Sequence, residues 1–411
     1  MFYIFILIYI VSLSYILFKK RAVDLYLILF GGLFYYSIPL FIDGGKLTFP
    51  GVVLSQNINS LTYIVYSFAF IVSFFFMHRN DNQKKRPIKY ERYGRLDKLT
   101  SKRIFFLTLL IFFIFAFGVY QFGIFDYLTT NKQVNEEDMT LIPISIVLSM
   151  IMLPVSFYYR KLFSFSIYFL ILFSFFLYGV RSYFVVGIIS SGFIYFRFKE
   201  IRLVKKLPLF ILAFLFAISM AVYKFIYVHV KDSSFNELFS IIKELDFDLL
   251  ITHLIADPLA VIYNLNYTIE NNIILSINYL FHRILSIIPQ GGTFFSFLTG
   301  ESYPRYSTIL NNEYTNIHWG LASSMYAELI AISGFLGFGV IYILMNTIIS
   351  YFNSNIKLSG LNFYNLIFIS SFTYFLFYSH RLDITFVLGV FKFSILIWIF
   401  FKYIFVKKLK R

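Results

Sequence analysis

Between Phe281 and Gly339, beside or within membrane-length apolar segments, this chain places residue types that are costly to hold there: His282-Arg283, Gly291-Gly292-Thr293, Glu301, Arg305, His318-Trp319-Gly320 and then Glu328. Their chemistry is coherent. An arginine presents a planar fork that holds a phosphate or pyrophosphate by two-point contact, and a histidine or carboxylate can take the proton of an attacking hydroxyl. Two remote arginines fit the same pattern. Arg181 stands in Tyr178-Gly179-Val180-Arg181-Ser182 between two apolar runs, and Arg381 in Ser379-His380-Arg381-Leu382-Asp383 between the last two. Arg181, Arg305 and Arg381 read equally well as anchors whose guanidinium rises to lipid phosphates at the interface. Arg283, flanked by His282 inside an apolar stretch, leans toward a binding role. Glu328 lies roughly 12 Å along a helix from Gly320 at 1.5 Å per residue, inside a bundle where a carboxylate needs a cation, water or a proton. Lys392 is the other intramembrane charge and could be its partner.

The elements that position these residues follow from composition. The chain has 411 residues, is 59% hydrophobic and 14% charged, holds 56 Phe and 33 Tyr, and has a mean hydropathy of +0.74. That composition describes an all-α polytopic membrane protein. A bilayer core of roughly 30 Å takes about 20 apolar residues per helix. About eleven runs qualify, within a range of ten to twelve, at 2–18, 23–42, 58–77, 104–122, 141–159, 162–179, 183–196, 207–223, 320–345, 361–379 and 384–405. The first continues into Lys19-Lys20-Arg21 without a small-residue cleavage site, so it is expected to be retained.

The formal charge of +15 comes from basic residues in alternate connections. This is the positive-inside pattern of cytoplasmic loops rather than a nucleic-acid surface. It predicts three stretches of one membrane unit: a bundle over 1–223, an outer loop over 224–318 with short interfacial or re-entrant helices, and C-terminal helices over 319–411. With no Cys, disulfides and thiolate sites are excluded. No two of the six His have the spacing of a helical metal site, so no metal or cofactor is expected. Asp246-Phe247-Asp248 has the Asp-x-Asp form that holds a metal in nucleotide-sugar transferases, but outer placement argues against a nucleotide donor.

Three features together resemble the bacterial oligosaccharide repeat-unit polymerases, the Wzy-type O-antigen and capsule polymerases. They are the Gly179 to Ser182 hairpin, the single large outer loop, and the run from Pro289 through Gly292-Thr293 to Tyr326-Ala327-Glu328 and Gly334-Phe335-Leu336-Gly337. The resemblance implies the GT-C-like architecture and a metal-independent glycosyl transfer on the periplasmic or exterior face of the bacterial plasma membrane. Donor and acceptor would be undecaprenyl-pyrophosphate-linked oligosaccharides, with a chain-length regulator and a flippase as partners beside the membrane lipids. Arg181, Arg283, Arg305 and Arg381 would hold the pyrophosphate, and His318, His282 or Glu328 would serve as base. An O-antigen ligase shares this logic. A flippase or exporter of lipid-linked oligosaccharide is the reading from another class, and the long loop and absent internal repeat count against it.

Overall fold

The computed structural model describes residues 1–20, 23–41, 46–49, 52–82, 98–123, 141–177, 181–197, 247–311, 323–359 and 361–404. The expected run at 207–223 and the expected base His318 lie outside these residues. Helices α1 (Phe2–Ser14), α2 (Leu25–Tyr36), α3 (Ser60–Asn82) and α4 (Lys98–Phe122) are followed by α5 (Leu141–Tyr158), α6 (Leu162–Leu177) and α7 (Ser182–Phe196). After α8 (Phe247–Glu270) come three short helices, α9 (Ile277–Leu285), α10 (Gly291–Thr299) and α11 (Tyr306–Ile309). The chain ends with α12 (Met325–Ser359), α13 (Phe363–Tyr378) and α14 (Ile384–Ile399).

Among the described residues, six helical segments are long and apolar enough to cross a membrane: Phe2–Lys19, Ser60–Asn82, Thr100–Phe122, Leu141–Tyr158, Met325–Ile356 and Ile384–Lys402. Four shorter apolar helices, α2, α6, α7 and α13, coincide with other expected runs. The protein is an α-helical membrane protein with one small addition. An antiparallel hairpin of β1 (Lys46–Phe49) and β2 (Val52–Asn57) pairs Lys46 with Asn57 and Phe49 with Val52.

Helix ends are set by local chemistry. Asp24 caps α2 by accepting from the Tyr26 amide at 3.1 Å, and Asn362 caps α13 by accepting from Asn365 at 2.8 Å. At the basic end of the bundle the buried Lys20 pairs with Asp24 at 2.8 Å and Asp81 at 3.1 Å, tying α1, α2 and α3 together. At the other end Asn266 of α8 accepts from the Asn59 amide at 2.6 Å and donates to the Asn57 carbonyl at 3.2 Å, which fixes the β hairpin against the bundle.

The expected outer loop is less peripheral than its polar interruptions suggest. From Pro258 to Asn266 every residue of α8 is buried, and the helix packs against α2, α3 and α12. It is part of the bundle rather than a cover over it.

Helix α12 breaks at Gly334, whose φ of 65° and ψ of −175° suit only glycine. Ser324, Ala327 and Ala331 lie before the break, and Gly337 and Gly339 lie after it. They mark a short half-helix followed by a long spanning one. The break frees carbonyls that lipid cannot satisfy, and the Leu275 amide, just before α9, donates to the Ala331 carbonyl at 2.7 Å. Gly334→Ala is expected to cost about 1–3 kcal/mol and to lower the unfolding midpoint in detergent. Gly339→Ala, where an added Cβ would meet nothing nearer than Phe68 at 3.5 Å, is expected to leave it nearly unchanged. Equal midpoints for the two variants would contradict this account of the break.

Candidate functional site

The half-helix of α12 that ends at Gly334 carries Glu328 into a fully buried position. Both carboxylate oxygens have donors. Arg283 Nε donates to Oε1 at 2.8 Å, and the Ile384 amide at the start of α14 donates to Oε2 at 2.7 Å. The partner is thus Arg283 and not Lys392, which is half-buried with its ammonium over the Phe393 ring. On the sequence, Lys392 could have been the partner, as the other charge inside an apolar run. The pairing is decided instead by the inward turn of α9, which lays Arg283 across the end of the half-helix.

Arg283 is itself only 1% exposed. Its Nη2 donates to the Pro304 carbonyl at 2.7 Å, and Nη1 to the Tyr303 carbonyl at 3.2 Å and to His282 Nδ1 at 3.2 Å. The guanidinium also lies over the Tyr279 ring at 4.9 Å. Every nitrogen is thus engaged by the protein, so Arg283 is a scaffold for the site and offers no free fork to a phosphate. Each Glu328 oxygen likewise already accepts a hydrogen bond from within the protein.

His282 stacks on Tyr303 with ring centroids 4.9 Å apart. Partial burial and the Arg283 charge hold its pKa below the ordinary value. A guanidinium can only donate, so Nδ1 accepts and Nε2 of the neutral ring carries the proton. Nε2 lies against Gly292 at the start of α10. The tight approach of α9 and α10 here explains the glycines: a Cβ on Gly292 would collide with Ser286 Oγ.

The turn from Ser379 to Asp383, between α13 and α14, is where the pieces meet. Met325 N donates to the Ser379 carbonyl at 3.3 Å. Asp383, 1% exposed, accepts from Ser307 Oγ at 3.1 Å, and burial pushes its carboxyl above the usual range. Arg381 Nη1 pairs with Asp257 Oδ2 of α8 at 3.1 Å, both side chains being 32% exposed. Arg181 and Arg381 lie within electrostatic reach of the same Tyr35 and Tyr378 hydroxyls. The two arginines expected to share a face are thus gathered around one tyrosine cluster. Arg305 is exposed, with its guanidinium 4.3 Å from the Phe386 ring centre.

Sequence reasoning missed Asp383 and His380 as parts of this assembly. An acid and a histidine in a short connection look like ordinary loop residues, and only their burial marks them. His380 is fully buried between Tyr36 and Tyr326. Neither of its ring nitrogens finds a partner among the described residues. Among these residues no group of His, Asp and Glu could hold a metal ion. Comparison with known proteins finds no matching family model, no matching curated protein and no matching solved structure.

Burial holds the His380 pKa down to about 3, against about 6.5 for the free side chain. Between those values the unfolded chain binds the extra proton, so His380 lowers stability progressively as pH falls below 6.5. The variant His380→Met, which cannot titrate, is expected to gain on the parent protein in thermal midpoint as pH falls from 7.5 to 4.5. Parallel curves for the two proteins across that range would contradict a buried neutral His380.

Proposed function

We propose that this protein is an oligosaccharide repeat-unit polymerase of the bacterial plasma membrane. It would join undecaprenyl-pyrophosphate-linked repeat units into an O-antigen or capsule polysaccharide by metal-independent glycosyl transfer on the outer face. The proposal extends to a GT-C-like arrangement with about eleven spans. The observation that carries it is the gathering of Arg181 and Arg381, with Asp257, around Tyr35 and Tyr378, at the end of the bundle opposite the basic Lys20 cluster.

The leaving group in such a transfer is a lipid pyrophosphate. Two half-buried arginines, Arg381 paired with Asp257 and both near the Tyr35 and Tyr378 hydroxyls, can stabilise its developing charge without a metal, because fixed charges in a partly desolvated site need no reorganisation. Arg305, exposed beside this end, would add a third contact at lower cost to folding. Arg283 and Glu328 supply the frame that sets the half-helix of α12 against α9 and α14. Of the three candidate bases, Glu328 and His282 are engaged in that frame, so the proposal gives proton abstraction to His318. Replacing His318 and His282 by Gln in separate purified proteins separates them: transfer is lost with the first and survives with the second.

Arg181→Ala and Arg381→Ala are each expected to lower the transfer rate by about 100- to 1000-fold, the scale of one lost charge-stabilising donor. In cells, long-chain glycan would disappear while single-repeat glycan still reaches the surface. Normal chain lengths in both variants would remove the arginine cluster from the mechanism. Loss of all surface glycan, with repeat units retained on the cytoplasmic face of a deletion strain, would support the flippase reading instead. Free polymer that is not passed to its final acceptor would support a ligase.

A further inference from the structure

Helix α9 has two faces of opposite character. Tyr279 and Arg283 are buried, while Ile277, Phe281, Ile284 and Ile288 are between 48% and 56% exposed. Their spacing places these four side chains in one stripe along the helix and its C-terminal turn. Helix α10 continues it with Phe297 at 82% and Leu298 at 63% exposed. From Ile277 to Thr299 the only basic or acidic residues are His282 and Arg283. The one full charge among them is turned inward onto Glu328, so nothing charged interrupts the outer face. Charge returns immediately beyond the hairpin, at the exposed Glu301 and Arg305.

What covers such a face follows from what adjoins it. The Leu275 amide bonds to the Ala331 carbonyl, which fixes the start of α9 beside the Gly334 break. Directly past that break Leu336 is 89% and Val340 59% exposed, on a helix long and apolar enough to span a membrane. The apolar stripe of α9 and α10 is thus continuous with a lipid-facing surface.

We propose that α9 and α10 form a monotopic hairpin lying in the plane of the membrane, with its apolar stripe sunk among the lipid acyl chains of one leaflet. The hairpin is a floating element pinned to the spanning bundle by a buried ion pair and a backbone bond, not a lid standing in water. Helices of this kind sink about 5–10 Å below the headgroup boundary. The inference is independent of the reaction proposed above.

The chain has no Cys, so single-cysteine variants need no background removal. Ile284→Cys and Phe297→Cys, spin-labelled and placed in nanodiscs of phosphatidylethanolamine and phosphatidylglycerol, are to be compared with Glu301→Cys. Relaxation by oxygen and by a water-soluble nickel chelate reports the surroundings of each label. The expected result is an oxygen-to-nickel accessibility ratio several-fold higher at both hairpin positions than at Glu301→Cys. A second reading uses Phe297→Trp, whose added emission is expected to be quenched by lipids brominated on their acyl chains. Equal ratios at all three sites would overturn the proposal by placing the hairpin in water. Exclusion of both reagents, with no quenching by brominated lipid, would overturn it by showing that protein covers the stripe.

Discussion

A guanidinium and a carboxylate buried together in an apolar bundle cannot be a loose contact. Each ion left alone there would carry an effective penalty of several kcal/mol, and the pair Arg283–Glu328 avoids it because the remaining donors and acceptors are also matched. That matching uses backbone from three separate places: the Tyr303–Pro304 loop, the start of α14 and, through Glu328, the half-helix of α12. The geometry of all three is therefore set by one interaction. Losing it would leave the hairpin of α9 and α10 held to α12 by the bond from the Leu275 amide to the Ala331 carbonyl, and the turn before α14 held by the bond from the Met325 amide to the Ser379 carbonyl.

The turn from Ser379 to Asp383 distributes that constraint. Its first carbonyl receives the amide at the head of α12. His380 goes into the aromatic core, Arg381 to Asp257 on α8, and Asp383 to Ser307 on α11. Adjacent residues thus face a buried frame on one side and a half-buried arginine and tyrosine cluster on the other. This is how a rigid interior places charges at a surface while leaving them half-buried. In the reading proposed here, the frame is Arg283 and Glu328, and the substrate-facing charges are Arg181 and Arg381.

Much of this was legible in the residue pattern. Ionisable side chains in apolar runs are costly, which is why Arg181, Arg283, Glu328 and Arg381 stood out, and hydropathy alone located ten helices that the structure contains. What the pattern could not carry was partnership. Glu328 and Arg283 are 45 residues apart, and Lys392 was an equally good partner on charge alone. The broken helix at Gly334 was hidden because glycine in a membrane helix more often signals close packing than a left-handed backbone. Burial of α8 was hidden by His253, Asp257 and Pro258, which read as interruptions although the helix runs through them. In the reading proposed here, Arg283 and Glu328 belong to the frame, and His282 Nδ1 accepts from Arg283.

The claim on which the rest depends is that Arg283 and Glu328 act as one unit. A double-mutant cycle tests it directly, with Arg283→Met, Glu328→Met and the combined variant measured by reversible unfolding in detergent. Each single change leaves a buried charge unpaired and is predicted to cost about 3–5 kcal/mol, while the double variant, with both charges gone, is predicted to be no less stable than either. Losses that simply add, or single losses under about 0.5 kcal/mol of the kind seen at ordinary surface positions, would contradict the account.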